Sequence, residues 1–95
     1  MIYQWDARKA AANLKKHGVS FEDAATVFSD ALALTYADPD HSVDEHREIT
    51  IGHTIRQQLV FVAHCDREGG IRVIGARLAT RSERRQYEEI SGKSN

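Results

Sequence analysis

Three strand patterns in succession, joined by short turns, constrain this chain more than any other feature. Residues 46–54 alternate between two kinds of side chain, and residues 59–65 form a continuous apolar run. Residues 71–76 form another apolar run after a polar turn that ends in two glycines. Connections this short join antiparallel strands, because a parallel pair needs a crossover of a dozen or more residues. The centre of the chain therefore predicts an antiparallel sheet in which residues 59–65 form a central strand.

Helical patterns lie before and after these strands. Asp6 is a plausible N-cap for an alanine-rich helix over residues 7–17, and Gly18 has the position of a C-terminal glycine cap. Ser20 begins a second helix, and Thr80 with Glu83 forms a capping-box pattern ahead of a basic third helix. Residues 2–5 and 31–37 read as further strands. The predicted order is β-α-α-β-β-β-β-α.

This order predicts an α+β fold, in which helices pack on a small antiparallel β-sheet. A chain of 95 residues forms one domain, placed at residues 1–90, and residues 91–95 are expected to be a flexible tail. The single Cys65 excludes an internal disulfide, lies in an apolar run and fits a reducing cytoplasm. No apolar run is long enough to span a membrane, and no signal peptide is visible.

The charges are unevenly distributed although the net charge is only −1. Residues 1–19 carry +3, residues 20–48 carry −7 and residues 67–85 carry +4. The last of these segments holds five arginines around the predicted junction of a strand and a helix: Arg72, Arg77, Arg81, Arg84 and Arg85. Arginine stays charged at any working pH and its planar fork matches a phosphate. The segment therefore predicts an anion site, and the strand–helix junction is expected to be the functional centre.

Two separated sequence signatures resemble those of BrnT-type toxins. The first comprises Trp5-Asp6, Lys9 and Asn13-xx-Lys16-His17-Gly18-Val19-Ser20-Phe21-Glu22-xx-Ala25, and the second comprises Arg72-Val73-Ile74-Gly75-Ala76-Arg77-xx-Thr80-xxx-Arg84-xx-Tyr87. The resemblance implies a ribonuclease toxin of a type II toxin–antitoxin system, with a RelE-like fold. It also implies a ribbon-helix-helix antitoxin and a complex of two toxins on one antitoxin dimer. In that complex only the antitoxin would contact operator DNA.

RNA cleavage by attack of a 2′-hydroxyl on its neighbouring phosphate needs a base, a cation at the phosphate and an acid for the leaving oxygen. It needs no metal or other cofactor. Arg72 and Arg77 are the predicted phosphate clamps, and their alternative role is a salt bridge to the acidic middle segment. Further RNA contacts are expected from Lys9, Lys16, Arg47, Arg81 and Arg84.

The predicted proton-transfer residues are His17, Glu48 and Tyr87. Each has a plainer interpretation: a histidine that caps a helix, an exposed carboxylate on a strand, and a tyrosine that covers the edge of the core. His64 was weighed with them, but its apolar surroundings favour a hydrogen-bonded core histidine. The acidic loop that contains Asp38, Asp40, His41, Asp44 and His46 lacks metal-site spacing and reads as solvated.

The sequence therefore predicts a cytoplasmic, metal-independent endoribonuclease that inhibits translation and growth until an antitoxin binds it. A non-catalytic binding module is the alternative, in which the same arginines contact the antitoxin or its operator complex. A nuclease that acts only on ribosome-bound message is a further possibility.

Overall fold

The structure is a computed structural model that describes residues 2–40 and 46–92. Five strands form one sheet in the order β1-β5-β4-β3-β2. The strands are β1 (Tyr3–Gln4), β2 (Leu34–Ala37), β3 (Arg47–His53), β4 (Leu59–Arg67) and β5 (Gly70–Leu78). Helices α1 (Ala7–His17) and α2 (Phe21–Ala25) and a 3₁₀ helix (Thr26–Ser29) lie between β1 and β2, and α3 (Arg81–Ser91) follows β5. This sequence of elements confirms the predicted α+β order.

The sheet is mixed rather than wholly antiparallel. Strands β2 to β5 pair antiparallel as predicted, whereas β1 pairs parallel with the outer edge of β5, with Tyr3 beside Ile71. The long segment between β1 and β5 permits this parallel pairing. Gly70 allows the close approach of the two strands, because a Cβ there would lie 2.5 Å from the Ile2 carbonyl oxygen.

The two faces of the sheet bury separate cores. On the first, here called the helical face, α1, α2 and the 3₁₀ helix cover a core of Val19, Phe21, Ala24, Val27, Val60, Val62, Val73 and Ala76. On the second, here called the α3 face, the core contains Ile49, Ile51, Leu59 and Tyr87, with Tyr36 and Phe61 packed against it. Tyr87 is the one buried residue of α3, so this helix is anchored on the sheet mainly through a single side chain.

The helix ends follow the local sequence closely. The Asp6 carboxylate accepts hydrogen bonds from the backbone N–H groups of Arg8 and Lys9, and Gly18 ends α1 with a φ of 72°. The predicted bounds of α1, residues 7–17, are therefore confirmed. No residue of α1 is fully buried, however, and Leu14 is 50% exposed. Hydrogen bonds from the Asn13 side chain to Ala76 connect the helix to the sheet.

The end of the chain differs in part from the predicted tail. Helix α3 continues to Ser91 and Gly92 caps it, so the first two residues of the predicted tail belong to the helix and its cap. Residues 93–95, like His41 and Asp44 of the acidic loop, lie outside the described residues. Within residues 2–40 and 46–92, no helix is long and apolar enough to cross a membrane.

Candidate functional site

Arg77 is held by its own chain. Its guanidinium donates to both carboxylate oxygens of Glu83, at 2.8 and 2.9 Å, and lies 3.9 Å from the centre of the Phe61 ring. The hydrogen bonds that Arg77 donates to Glu83 raise the pKa of Arg77, although burial opposes the shift. Glu83 also completes the capping box with Thr80. Arg77 therefore fastens β5 to the first turn of α3. It forms a salt bridge, but its partner lies in α3 and not in the acidic middle segment of the predicted alternative.

Arg72 has different surroundings. It lies in register with Cys65 of β4, and Cys65 lies in register with Arg47 of β3. Residues in register share a face of a sheet, so the two arginines flank the buried Cys65 in one row on the α3 face. Their Cα atoms are two strand spacings apart, about 10 Å. Both arginines are half-buried. Among the described residues, the Arg72 side chain has no ion-pair partner within 4.0 Å.

The predicted arginine cluster is therefore divided. Arg72 and Arg77 lie on the same face, but their partners on β4 are Cys65 and Phe61, four residues and about 13 Å apart along the strand. Arg81 and Arg84 are exposed on α3, which begins beside Arg77. The row of Arg47 and Arg72 lies at one end of the sheet and the Arg77–Glu83 salt bridge lies at the other, so the arginines do not share one pocket.

Four predicted site residues lie away from this row. Glu48 pairs in register with His64 and so points to the helical face, opposite Arg47. Its predicted proton transfer therefore cannot occur beside Arg72 without a rearrangement of the sheet. Lys9, Lys16 and His17 are exposed on α1, which packs against the helical side of β5. The basic segments at residues 1–19 and 67–85 thus come close at the β1 edge, where the backbone hydrogen bond from Lys9 and the charges of Lys9 and Arg72 lower the pKa of Asp6.

Tyr87 joins a cluster that the sequence analysis did not predict. Its hydroxyl donates to Asp30 Oδ2 at 2.8 Å and lies 3.2 Å from His53 Nδ1. Asp30 Oδ2 also accepts the backbone N–H of His53 at 2.9 Å. Burial, followed by the hydrogen bond to Asp30, raises the pKa of Tyr87 to about 12. The phenol therefore keeps its proton at any physiological pH.

A cavity of about 340 Å³ opens beside this cluster. Its walls come from the end of the 3₁₀ helix and from the β3–β4 turn, and they comprise Thr26, Ser29, Asp30, His53, Thr54, Ile55 and Gln57. The His53 side chain is 24% exposed and that of Asp30 is 11% exposed. The His53 imidazole is therefore partly accessible from the cavity, and its Nδ1 edge is held by the Tyr87 hydroxyl.

The predicted alternation over residues 46–54 is confirmed by the register, which puts His53 on the same face as Arg47, Ile49 and Ile51. Its partners could not be found in the same way, since Asp30 and Tyr87 lie 23 and 34 residues from it. Only the docking of α3 brings these three side chains together.

The comparisons with known proteins agree with this architecture. The chain matches the crystal structure of the Brucella abortus ribonuclease toxin BrnT with a TM-score of 0.66 and 24% sequence identity, over 85% of this chain and 100% of the other. A search of curated proteins finds no match. The structural match shows that the fold is shared.

Fold and site together define a small α+β protein with a mixed sheet and a basic row on one face. The sequence profile of the ribonuclease toxin BrnT, of type II toxin–antitoxin systems, matches residues 5–83. The chain belongs to the BrnT family. Membership in a type II toxin family implies an antitoxin as a partner.

Proposed function

We propose that this chain is a cytoplasmic, metal-independent endoribonuclease that cleaves RNA by attack of a 2′-hydroxyl and so inhibits translation and growth. The family of ribonuclease toxins to which it belongs supports cleavage of RNA in general. The observation that carries the finer proposal is the row in which Arg47 and Arg72 flank Cys65 on the α3 face. Two arginines whose Cα atoms are about 10 Å apart on one face of a sheet can contact phosphates of one RNA strand.

Within this proposal the predicted residues have different roles. Arg72 and Arg47 bind the RNA backbone, and the exposed Arg81 and Arg84 extend the contact along α3. Arg77 holds α3 in place through Glu83. Three further residues would contact RNA only where the RNA strand passes beyond the edge of the β-sheet: Lys9, Lys16 and His17 on α1.

Cleavage of RNA in the presence of EDTA tests this function. We expect the wild type to degrade RNA without divalent ions, and Arg72→Ala to reduce the rate about 100-fold, as for the loss of one electrostatic contact in a transition state. Arg67→Ala is a matched control, because Arg67 is exposed at the end of β4, outside the row. A requirement for a divalent ion would contradict the metal-independent mechanism.

Expression in growing cells separates the nuclease from a non-catalytic binding module. The wild type should arrest growth when expressed alone, and Arg72→Ala should relieve the arrest while Arg67→Ala does not. A binding module would leave growth unchanged in all three cases. Arrest without cleavage of naked RNA would instead indicate a nuclease that acts only on ribosome-bound message.

The proposed antitoxin is a ribbon-helix-helix protein, which forms dimers and binds operator DNA. Two toxins on one antitoxin dimer would then form the neutral complex, and DNA would contact the antitoxin alone. Light scattering of the purified complex should give the mass of two toxins and two antitoxins. A mass of one toxin per antitoxin dimer would contradict this stoichiometry.

A further inference from the structure

The cluster of Asp30, Tyr87 and His53 has the geometry of a positioned base. The Tyr87 hydroxyl has one proton, which it donates to Asp30 Oδ2 at 2.8 Å. Its oxygen can then only accept from His53 Nδ1, which lies 3.2 Å away. This arrangement places the imidazole proton on Nδ1 and leaves the lone pair on Nε2. Within the described part of the chain, Nε2 has no hydrogen-bond partner.

The surroundings of the ring support an active role. The backbone N–H groups of His53 and Leu32 donate to the Asp30 carboxylate, each at 2.9 Å, so the carboxylate is itself held in place. Ser29 and Gln57 line the adjoining cavity with a hydroxyl and an amide. Arg56 lies in the same turn, 73% exposed, and its ion pair with Asp23 is of a kind that contributes little and exchanges readily. The turn that lines the cavity therefore also carries an exposed cation.

We propose that His53 is the general base of RNA cleavage, and that Tyr87 and Asp30 are positioning residues that hold it in the reactive tautomer. This inference rests on the proposed ribonuclease function and assigns its missing base. His53 Nε2 takes the proton of a ribose 2′-hydroxyl, and the 2′-oxygen forms a bond to the adjacent phosphorus. The bond from phosphorus to the 5′-oxygen breaks, and that oxygen takes a proton from water. The products are a 2′,3′-cyclic phosphate and a free 5′-hydroxyl.

The arginine row and the His53 cavity would then contact different parts of one RNA strand. Helix α3 begins beside Arg77 and reaches His53 and Asp30 through Tyr87. Its exposed Arg81, Arg84 and Arg85 thus provide positive charge at the His53 end of the sheet, whereas the arginine row lies at the opposite end, about 20 Å away along β4.

Variants at His53 test the assignment in the full-length protein, with a uridine-containing oligoribonucleotide in EDTA as the substrate. We expect His53→Ala to lower kcat at least 100-fold, in the range for loss of a general base, and to remove the acidic limb of the pH profile of kcat. Tyr87→Phe should keep the ring packing and shift that limb. The groups that face the imidazole are Asp30 and Tyr87, with the Asp23–Arg56 pair on the neighbouring turn. His46→Ala, at another exposed histidine, is the matched control and should leave kcat unchanged.

The outcomes are distinct. Wild-type activity in folded His53→Ala, with the acidic limb unchanged, would overturn the assignment and leave the ribonuclease function intact. Failure of the wild type to cleave any RNA would overturn both proposals. A measurement on the wild type needs no variant to fold: the nitrogen chemical shifts of the His53 ring should show the proton on Nδ1. A ring protonated on Nε2 in its neutral form would overturn the proposed tautomer and with it the base.

Discussion

At the scale of single residues, Arg72 and Arg77 show how two arginines of one strand can differ in role. Both are predicted phosphate clamps, because both lie near the expected junction of strand and helix. Arg77 makes a two-pronged contact with Glu83 and stacks over Phe61, whereas Arg72 lies beside Cys65 without an ion-pair partner among the described residues. No pattern in the sequence distinguishes them, because Glu83 also satisfies the capping box that predicted its helix.

Arginine-to-lysine substitutions should separate these roles. Arg77→Lys keeps the charge but loses the planar fork and the stacking, so we expect the free energy of unfolding to fall by about 1–2 kcal/mol. Arg72→Lys should change it by less than about 0.5 kcal/mol. Urea unfolding at pH 7 measures both values. An equal loss in the two variants would mean that the Glu83 contact contributes no more to folding than the surroundings of Arg72.

His64 gives the chain a dependence of stability on pH. It is 3% exposed, its Nε2 lies 2.7 Å from the Thr50 hydroxyl, and its ring packs edge-on against Phe28. These contacts confirm the predicted core histidine. Burial lowers the pKa of His64, although Asp66 opposes the shift. The folded protein therefore keeps the ring neutral at a pH where the unfolded chain already binds a proton.

The free energy of unfolding should consequently decrease as the pH falls below about 6.5, by no more than about 1.4 kcal/mol per pH unit from this residue. The loss ends once the pH passes below the folded pKa. Urea unfolding at pH 8 and at pH 5.5, for the wild type and for His64→Gln, measures the effect. The variant should have the smaller pH dependence, and an unchanged dependence would exclude His64 as its source.

At the scale of elements, the first family signature is mainly structural. Asn13 accepts from the Ala76 N–H at 3.1 Å and donates to the carbonyl oxygens of Ala76 and Val19, at 2.8 and 3.1 Å. Gly18 caps α1 and Ser20 caps α2. The signature thus folds the helical hairpin and fastens α1 to β5.

Asn13→Ala should therefore lower the free energy of unfolding by about 2–3 kcal/mol, because it leaves backbone groups of Ala76 and Val19 without their partner. Lys15→Ala, on the exposed side of α1, is the control and should stay within about 0.5 kcal/mol of the wild type. Thermal and urea unfolding of both variants provide the comparison. If the two were equally stable, the three bonds of Asn13 would have no net effect on folding.

Local sequence signals predicted the helices and strands well. Contacts between residues far apart in the chain determined the features that those signals could not predict. Periodicity and caps located α1 and the antiparallel strands, because those signals act within a few residues. The parallel β1, the irregular register between Ala63 and His64, and the contact of Tyr87 with Asp30 each depend on partners far along the chain. The same distance explains why His53 was not predicted as a site residue.

At the scale of the whole molecule, charge is separated across the sheet. The acidic segment at residues 20–48 contributes β2 at one edge, whereas the basic segment at residues 67–85 contributes β5 near the other. A near-neutral protein can therefore still present a positive surface to RNA.

RNA binding should accordingly weaken as salt increases, because bound phosphates release counterions. Arg72→Ala should make the slope of log K against log salt shallower by about 0.7, the value for one contact to a single strand. Lys15→Ala, on the exposed side of α1, should leave the slope unchanged. Fluorescence anisotropy with a labelled oligoribonucleotide at several salt concentrations measures the slopes, and equal slopes for wild type and Arg72→Ala would exclude a phosphate contact at Arg72.

The parallel pairing of Tyr3 with Ile71 has a consequence for biosynthesis. The first strand leaves the ribosome early, but its hydrogen-bonding neighbour is translated almost seventy codons later. Until then the nascent polypeptide cannot complete its sheet, and Arg72 is still absent or inside the exit tunnel. A toxin built in this order completes the row of Arg47 and Arg72 only after β5 has left the ribosome.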